Sequence, residues 1–355
     1  MQYAMILLVS AGVIAIIYTL EAVRRDHRYR SSFIYETCIM TRVKNCHHLL
    51  PQWIEYHFLS GVDHFFISND CSEDPRTLYW LKQYEALGIV NASYNQSFND
   101  CRSTLPNEAS HFSHLFGQAK PSCRWIGVID LDEYIFPTKS QKSVSFIKEA
   151  LLHHKTPLVR MPWVIMSHMG YENLPSKLLI DAYTAANPVP RVVHVKSFAS
   201  SEWLVDWSHS HYPKFVEEIS KFEGPSIDAR NYHLTVDGEI TSTKSNGFDC
   251  HYPSSPLYLR HYAYRAWSDY LATKVRRKYD SAGTPNIYAG NDAVVRARWI
   301  ENYEKSNCSV LGEGHRKRIS PKISSSVILH SQLWPARSGY NSSELFNTWL
   351  LGEQL

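Results

Sequence analysis

The chain has no Cys-x-x-Cys pair; its seven cysteines (Cys38, Cys46, Cys71, Cys101, Cys123, Cys250 and Cys308) are scattered. That spacing excludes a zinc ribbon and a thioredoxin-like redox motif. An odd number of cysteines leaves at least one free thiol in an oxidising compartment. Low-complexity tracts, internal repeats and Gly- or Ser-rich linkers are also missing, so nothing in the composition divides the body into separable modules. The net charge is only +3, from 37 basic and 34 acidic residues, which gives no argument for a nucleic-acid partner. Beyond residue 20 there is no second long apolar run. A protein crossing the bilayer many times is therefore excluded.

What is present is one apolar run and one large body. Tyr3 to Leu20 carries no charge, and eighteen apolar-rich residues approach the length needed to span a bilayer. No Lys or Arg precedes the run, and no Ala-x-Ala site closes it, so an uncleaved anchor is expected in place of a signal peptide. The chain then divides into an anchor over 1–22, a short basic stem over 23–33 and a body over 34–340. Two signals conflict on orientation. Arg24, Arg25, Arg28 and Arg30 flank the run, which by the positive-inside rule places the body in the cytoplasm. Asn-x-Ser acceptors at Asn91, Asn95, Asn307 and Asn341 favour a lumenal body.

The first part of the body alternates strands and helices. Ile34–Met40, Val62–Ile67 and Ile89–Tyr94 read as strands. Leu49–Leu59 and Leu78–Leu87 read as amphipathic helices ended by Gly61 and Gly88. Asp74 before Pro75 reads as a helix cap. A further helix over 109–119 leads to an apolar run, Ile126–Ile129. This alternation predicts an α/β fold with a mostly parallel central sheet flanked by helices. The second half is less regular, with strands expected at 158–163, 192–195, 240–243 and 257–259 and helices at 144–153 and 267–278. Cys38 and Cys123 are expected to be buried as small hydrophobes.

The sharpest feature is Asp130-Leu131-Asp132-Glu133, which closes that apolar run. Carboxylates at the carboxyl end of a buried strand lie where open α/β sheets bind ligands. Side chains two apart on a strand point the same way, so Asp130 and Asp132 are expected to converge on one hard cation. A divalent metal held by one or two carboxylates plus phosphate oxygens suits a diphosphate substrate. The plainer reading is a set of solvated acids at a strand end.

The motifs taken together resemble glycosyltransferase family 92, within the group that shares the GT-A fold. They are Arg42-Val-Lys-Asn45, Gln52-Trp-Ile-Glu-Tyr-His57, Gly61-Val-Asp-His-Phe-Phe-Ile67, Asn69-Asp70, Asp130-Leu-Asp-Glu-Tyr134 and Arg260-His-Tyr-Ala-Tyr-Arg265, followed by Trp267 and Lys274. The likeness spans about residues 36–280. Cys46 stands where the family usually has Glu, and Pro162–Gly170 matches only loosely the family's Trp-x-x-Phe-Gly-x-x-Gly block.

The resemblance implies a metal-dependent, inverting transfer of a sugar, galactose first, from a uridine diphosphate donor to a glycan. It implies Mn2+ or another divalent cation such as Mg2+, held by Asp130, Asp132 and His261, with Glu133 supporting them. Arg42, Lys44, Asn45, Asn69, Asp70 and Asp130 would meet the nucleotide sugar. Asp132 is a catalytic candidate; Glu172, Asp206 and Asp249 are candidates for the general base. The family also implies a single-pass protein of the Golgi or another secretory membrane. His209-Ser-His211 has the look of a metal pair without an evident third ligand. Lys196 and Lys274 could meet phosphates, and Trp163, Trp203 and Trp207 could stack on a sugar, although ion pairing and core packing are the commoner uses. The rival readings are a metal-dependent phosphohydrolase built on the same acids with His209 and His211, and an inactive relative that only binds glycans. For topology, N-glycosidase treatment of the chain made in eukaryotic cells is expected to increase its gel mobility; an unchanged band would place the body in the cytoplasm.

Overall fold

A computed structural model describes residues 33–94, 108–139, 143–152, 157–187, 195–211, 213–216, 256–275, 292–304, 316–317 and 319–324. The expected anchor, nearly all of the stem, the strand at 240–243, Asp249 and the acceptors Asn95, Asn307 and Asn341 lie outside these residues. Among the described residues no helix is long and apolar enough to cross a membrane.

The core is one eight-stranded sheet. Its strands are β1 (Tyr35–Val43), β2 (His64–Asn69), β3 (Val90–Tyr94), β4 (Cys123–Val128), β5 (Glu133–Pro137), β6 (Leu158–Ile165), β7 (Val195–Ser200) and β10 (Leu257–His261). Their order in space is β3-β2-β1-β4-β7-β6-β10-β5. β1 pairs in parallel with both β2 and β4, and β2 with β3. β7 runs antiparallel between β4 and β6, β10 lies parallel to β6, and β5 closes the edge antiparallel to β10. A separate small ribbon joins β8 (Leu204–Asp206) to β9 (Lys214–Phe215).

The helices are α1 (Leu50–Leu59), α2 (Pro75–Ala86), α3 (Glu108–Ala119), α4 (Phe146–Leu152), α5 (Leu179–Ala182), α6 (Trp267–Tyr270) and α7 (Asp292–Glu304). Strand alternation divides the core between the two faces of the sheet. Ile39, Phe65 and Ile67 pack with Trp53, Ile54, Trp80 and Tyr84 of α1 and α2. Cys38, Met40 and Phe66 turn the other way, to Phe112, Leu115 and Phe116 of α3. Parallel β1 to β4 thus carry helices on both sides, as their near-continuous apolar runs require.

The punctuation read from sequence has clear physical causes here. Asp74 caps α2 by accepting from the Arg76 amide at 3.2 Å, with Pro75 opening the helix. Gly61 follows α1 with φ +104°, and a Cβ there would meet Lys148 Cβ and the Ser145 carbonyl at 3.1 Å, so only glycine fits. From Glu133 onward the structure adds what periodicity did not reveal: β5, most of β7, the short α5, the β8–β9 ribbon and α7. The helix expected at 267–278 is one α-turn, α6, running into a π-helical segment at Leu271–Val275.

Cys38 and Cys123 are buried as expected, but they form a disulfide instead of standing as free hydrophobes. Cys71 is disulfide-bonded too. Cys46 is a buried free thiol, pushed up to about 12 mainly by burial.

His57 of α1 holds the sheet edge from within. Its Nδ1 donates to the Trp53 carbonyl at 2.9 Å, and its Nε2 accepts weakly from the Ile135 amide at 3.4 Å. Burial lowers its pKa to about 3. The folded state therefore resists protonation that the unfolded chain accepts near 6.5. Stability from this group is complete above pH 6.5 and falls by about 1.4 kcal/mol per pH unit as the pH drops towards 3. His57→Gln is expected to flatten that acid limb in urea unfolding between pH 6 and 4; an unaltered slope would remove His57 as its source.

Candidate functional site

Because β1, β2 and β4 are parallel, their carboxyl ends share one rim of the sheet, at Val43, Asn69 and Val128. The acid motif lies on that rim, in the link from β4 to β5. It is a turn and not a strand, so the expectation that two-residue spacing makes Asp130 and Asp132 parallel does not hold. The Glu133 amide donates to the Asp130 carbonyl at 3.0 Å, and the Asp130 amide donates to Glu133 Oε2 at 2.9 Å. Trp53 Nε1 of α1 donates to the Asp130 and Glu133 carbonyls, each at 3.0 Å. The turn is thereby closed on itself and clamped from beneath.

The two aspartates face different partners. Asp130 Oδ2 pairs at 2.9 Å with Lys196 Nζ of β7, an ammonium with no exposure, whereas the Asp130 side chain is 43% exposed. Lys196 also donates to the Ser210 carbonyl at 3.0 Å and lies 3.8 Å from Glu133 Oε2. Burial disfavours the charge on Asp130, but Lys196 outweighs it and holds the carboxyl below its usual range. Glu133 is fully buried, and burial raises its pKa well above normal despite Lys196. Glu133 supports the turn from beneath, its Oε2 accepting from the Asp130 amide.

Asp132 belongs to the second half. Its carbonyl accepts from the Tyr262 amide at 2.8 Å. Its Oδ2 faces Arg265 NH1 at 3.3 Å, and its Oδ1 lies 3.6 Å from His261 Nε2, at the end of β10. The His261 ring packs on Trp163, with centroids 4.1 Å apart, and the edge of Trp163 meets His211 at 5.2 Å. Asp132 and His261 suit a divalent cation: 3.6 Å is below twice a metal–ligand bond of about 2.1 Å, and phosphate oxygens and water complete such shells. Asp130 does not converge with them. Among the described residues no three His, Cys, Asp or Glu side chains are grouped to hold a metal.

At the ends of β1 and β2, Arg42 pairs in register with Ser68. Ser68 Oγ hydrogen-bonds His111 Nδ1 of α3 at 2.7 Å, and His111 Nε2 lies 3.8 Å from Asp70 Oδ1. Burial, then the Arg42 charge, lowers the His111 pKa. Arg42, Asp70 and His111 thus form one polar group on the rim. Lys44 is exposed beside it. Asn45 and Asn69 serve the loop instead. Asn45, at φ +48°, accepts from the Glu73 and Asp74 amides at 2.8 and 3.0 Å. Asn69 accepts from the Ser72 amide at 3.2 Å.

The base candidates are engaged elsewhere. Glu172 is held by Arg296, and Asp206 by Lys214 at 3.2 Å and Ser113 at 3.3 Å. Neither carboxylate contacts the acid turn. Trp207 is a core residue under α3. His209 accepts from the His211 amide at 3.1 Å, and His211 donates to the Val195 carbonyl at 3.0 Å, which is loop chemistry. His111, His48 and Asp269 carry no signal in their spacing. Lys196 does carry one, as the lone charged residue of a fully buried strand, β7.

Residues 35–177 match the model of glycosyltransferase family 92. A family 92 protein of Arabidopsis thaliana is 32% identical over 35% of this chain and 20% of its own length. One from Ricinus communis is 24% identical over 44% of this chain and 27% of its own, and one from Oryza sativa subsp. japonica is 22% identical over 48% and 28%. The chain therefore matches between a fifth and somewhat more than a quarter of the length of these curated relatives. The solved structure of HddC from Yersinia pseudotuberculosis aligns at 12% identity, over 52% of this chain and 86% of that one, with a TM-score of 0.30, too distant to bear on function.

Lys196→Met leaves Asp130 without its cation. The expected loss is about 3 kcal/mol in urea denaturation, the low end for breaking a buried pair because Asp130 remains 43% exposed. No loss would show that the pair is not part of the folding balance.

Proposed function

We propose that this chain, whose residues 35–177 match the glycosyltransferase family 92 model, transfers a sugar from a nucleoside diphosphate sugar to a glycan. The observation that carries this reading is the acid turn on the rim where β1, β2 and β4 end, with Asp132 Oδ1 beside His261 Nε2 at 3.6 Å. Ligands of open α/β sheets bind outside such carboxyl ends. On this reading Arg42, Asp70 and His111 receive the nucleotide, with Lys44 at the entrance. Asp130, anchored by Lys196, faces the ribose with its exposed oxygen. Asp132 and His261 are the residues that would hold Mn2+ or Mg2+. A bound divalent cation there supplies charge stabilisation to the departing phosphate. Glu133, Trp53 and Lys196 keep the turn rigid, so the oxygens need not reorganise as charge develops.

The uridine base, galactose and an inverting outcome follow from the family resemblance. Inversion needs one carboxylate on the acceptor side. With Glu172 committed to Arg296 and Asp206 to Lys214, the base is assigned to neither. Asp249 stays a candidate. The disulfides at Cys38–Cys123 and at Cys71 support a body in an oxidising secretory compartment, which agrees with the acceptor asparagines and with a single-pass anchor at the amino terminus.

The test is donor turnover. With manganese, a uridine diphosphate sugar and a glycan acceptor, the protein is expected to release nucleoside diphosphate in step with a new glycosidic bond. Asp132→Ala is expected to lower kcat/KM by about a hundredfold or more with the melting temperature kept within a few degrees. Full activity in that variant would remove the metal role, and acceptor-independent release of phosphate would replace transfer by hydrolysis.

A further inference from the structure

Asp132 is the terminus of a buried chain of charges, Arg265, Asp269 and His48, whose last two members lie outside the motifs read in the sequence. Arg265 NH1 faces Asp132 Oδ2 at 3.3 Å and also donates to the Tyr262 carbonyl at 3.0 Å. The other edge of the guanidinium is occupied as well. Nε donates to Asp269 Oδ2, and NH2 reaches Thr273 Oγ1 at 3.4 Å. Asp269 is in turn met at Oδ1 by His48 Nε2 at 3.2 Å, from the loop before α1. The Arg265 and Asp269 side chains are 3% and 4% exposed.

This arrangement does more than neutralise charge. A planar guanidinium gripped on three sides has one orientation left. It can approach Asp132 from one direction only, and it engages one oxygen. The other, Oδ1, is turned to His261. Turning the plane of the Asp132 carboxylate away from this setting would break the 3.3 Å contact with Arg265 and move the facing oxygen off His261, so the fixed guanidinium holds that plane. We infer that Arg265, fixed by Asp269 and His48, is a positioning residue that sets the Asp132 carboxylate so that a single oxygen, paired with His261, is presented to a divalent cation. The inference rests on the proposed transferase reading and names the part of the chain that builds its metal site. Held in this way, Asp132 binds the cation through one oxygen, and the Arg265 charge beside it limits how tightly the metal is held before phosphate arrives. Partners of metal ligands commonly control affinity by 10- to 100-fold.

The test is Mn2+ binding to the full chain without substrate, read as the loss of the free-ion electron paramagnetic resonance signal, with turnover measured in parallel. Arg265→Lys preserves the charge but cannot contact Asp269, the Tyr262 carbonyl and Asp132 together. It is expected to weaken Mn2+ binding about tenfold and to raise the metal concentration needed for half-maximal rate by a similar factor, with the KM for the donor little changed at saturating metal. Asp269→Asn, which keeps the shape and loosens the anchor, is expected to move binding in the same direction. If either variant unfolds, the other carries the measurement. Native affinity in a folded Arg265→Lys variant would overturn the positioning role and leave the metal reading intact. A wild-type chain that binds no Mn2+, alone or with uridine diphosphate, would overturn both.

Discussion

The structure depends on how a turn of three acids is held at the rim of a sheet. Carboxylates so close together repel one another, and burial opposes their charge. The fold resolves this in three ways. Lys196 pairs with Asp130, Arg265 faces Asp132, and burial pushes Glu133 towards its neutral form. The Trp53 indole fixes the backbone through two carbonyls. Without the cations the acids face one another uncompensated; without the tryptophan the Asp130 carbonyl keeps only the Glu133 amide and the clamp from α1 is lost.

The supports come from parts of the chain far apart in sequence. Trp53 lies on the first helix, Lys196 on β7, and Tyr262 and Arg265 follow β10. That is why the antiparallel strands matter. β7 inserts between β4 and β6 and brings its lysine under the turn, while β10 brings His261 and the loop that ends at Arg265. The parallel strands supply the rim, and the later strands supply the charges that make the rim habitable for carboxylates. The family match covers residues 35–177 and so includes the acids, but it stops before Lys196, His261 and Arg265.

Legibility in the sequence followed the kind of physics involved. The early helices and strands were readable because their signals are local: Pro75 and Asp74 at a helix start, glycines at helix ends, apolar runs at strand period. Gly61 shows why such signals are strong, since both its backbone angle and its neighbours forbid a side chain. The acid motif was readable as a ligand site but misread in geometry, because a turn closed by Glu133 replaced the strand on which side-chain alternation depends. Partners such as Lys196 for Asp130, Asp269 for Arg265 and His111 for Ser68 are tertiary. They are set by the strand order of the sheet, which no periodicity encodes. The pairing of Cys38 with Cys123 was hidden for the same reason: two cysteines in apolar strands look alike whether bonded or not.

That bond has a consequence for the unfolded chain. It joins positions 85 residues apart, so the later part of β1, all of β2 and β3, helices α1 to α3 and the first residue of β4 lie on one covalent ring even when denatured. On the chain-entropy view a ring of this size shrinks the disordered ensemble by about 4–5 kcal/mol. The half that carries Arg42, Asp70 and the approach to the acid turn therefore begins folding as a pre-tethered lariat, with β1 and β4 already neighbours. The later strands have no such tether in the described residues, and they must find their places against a scaffold whose central pair is already chosen.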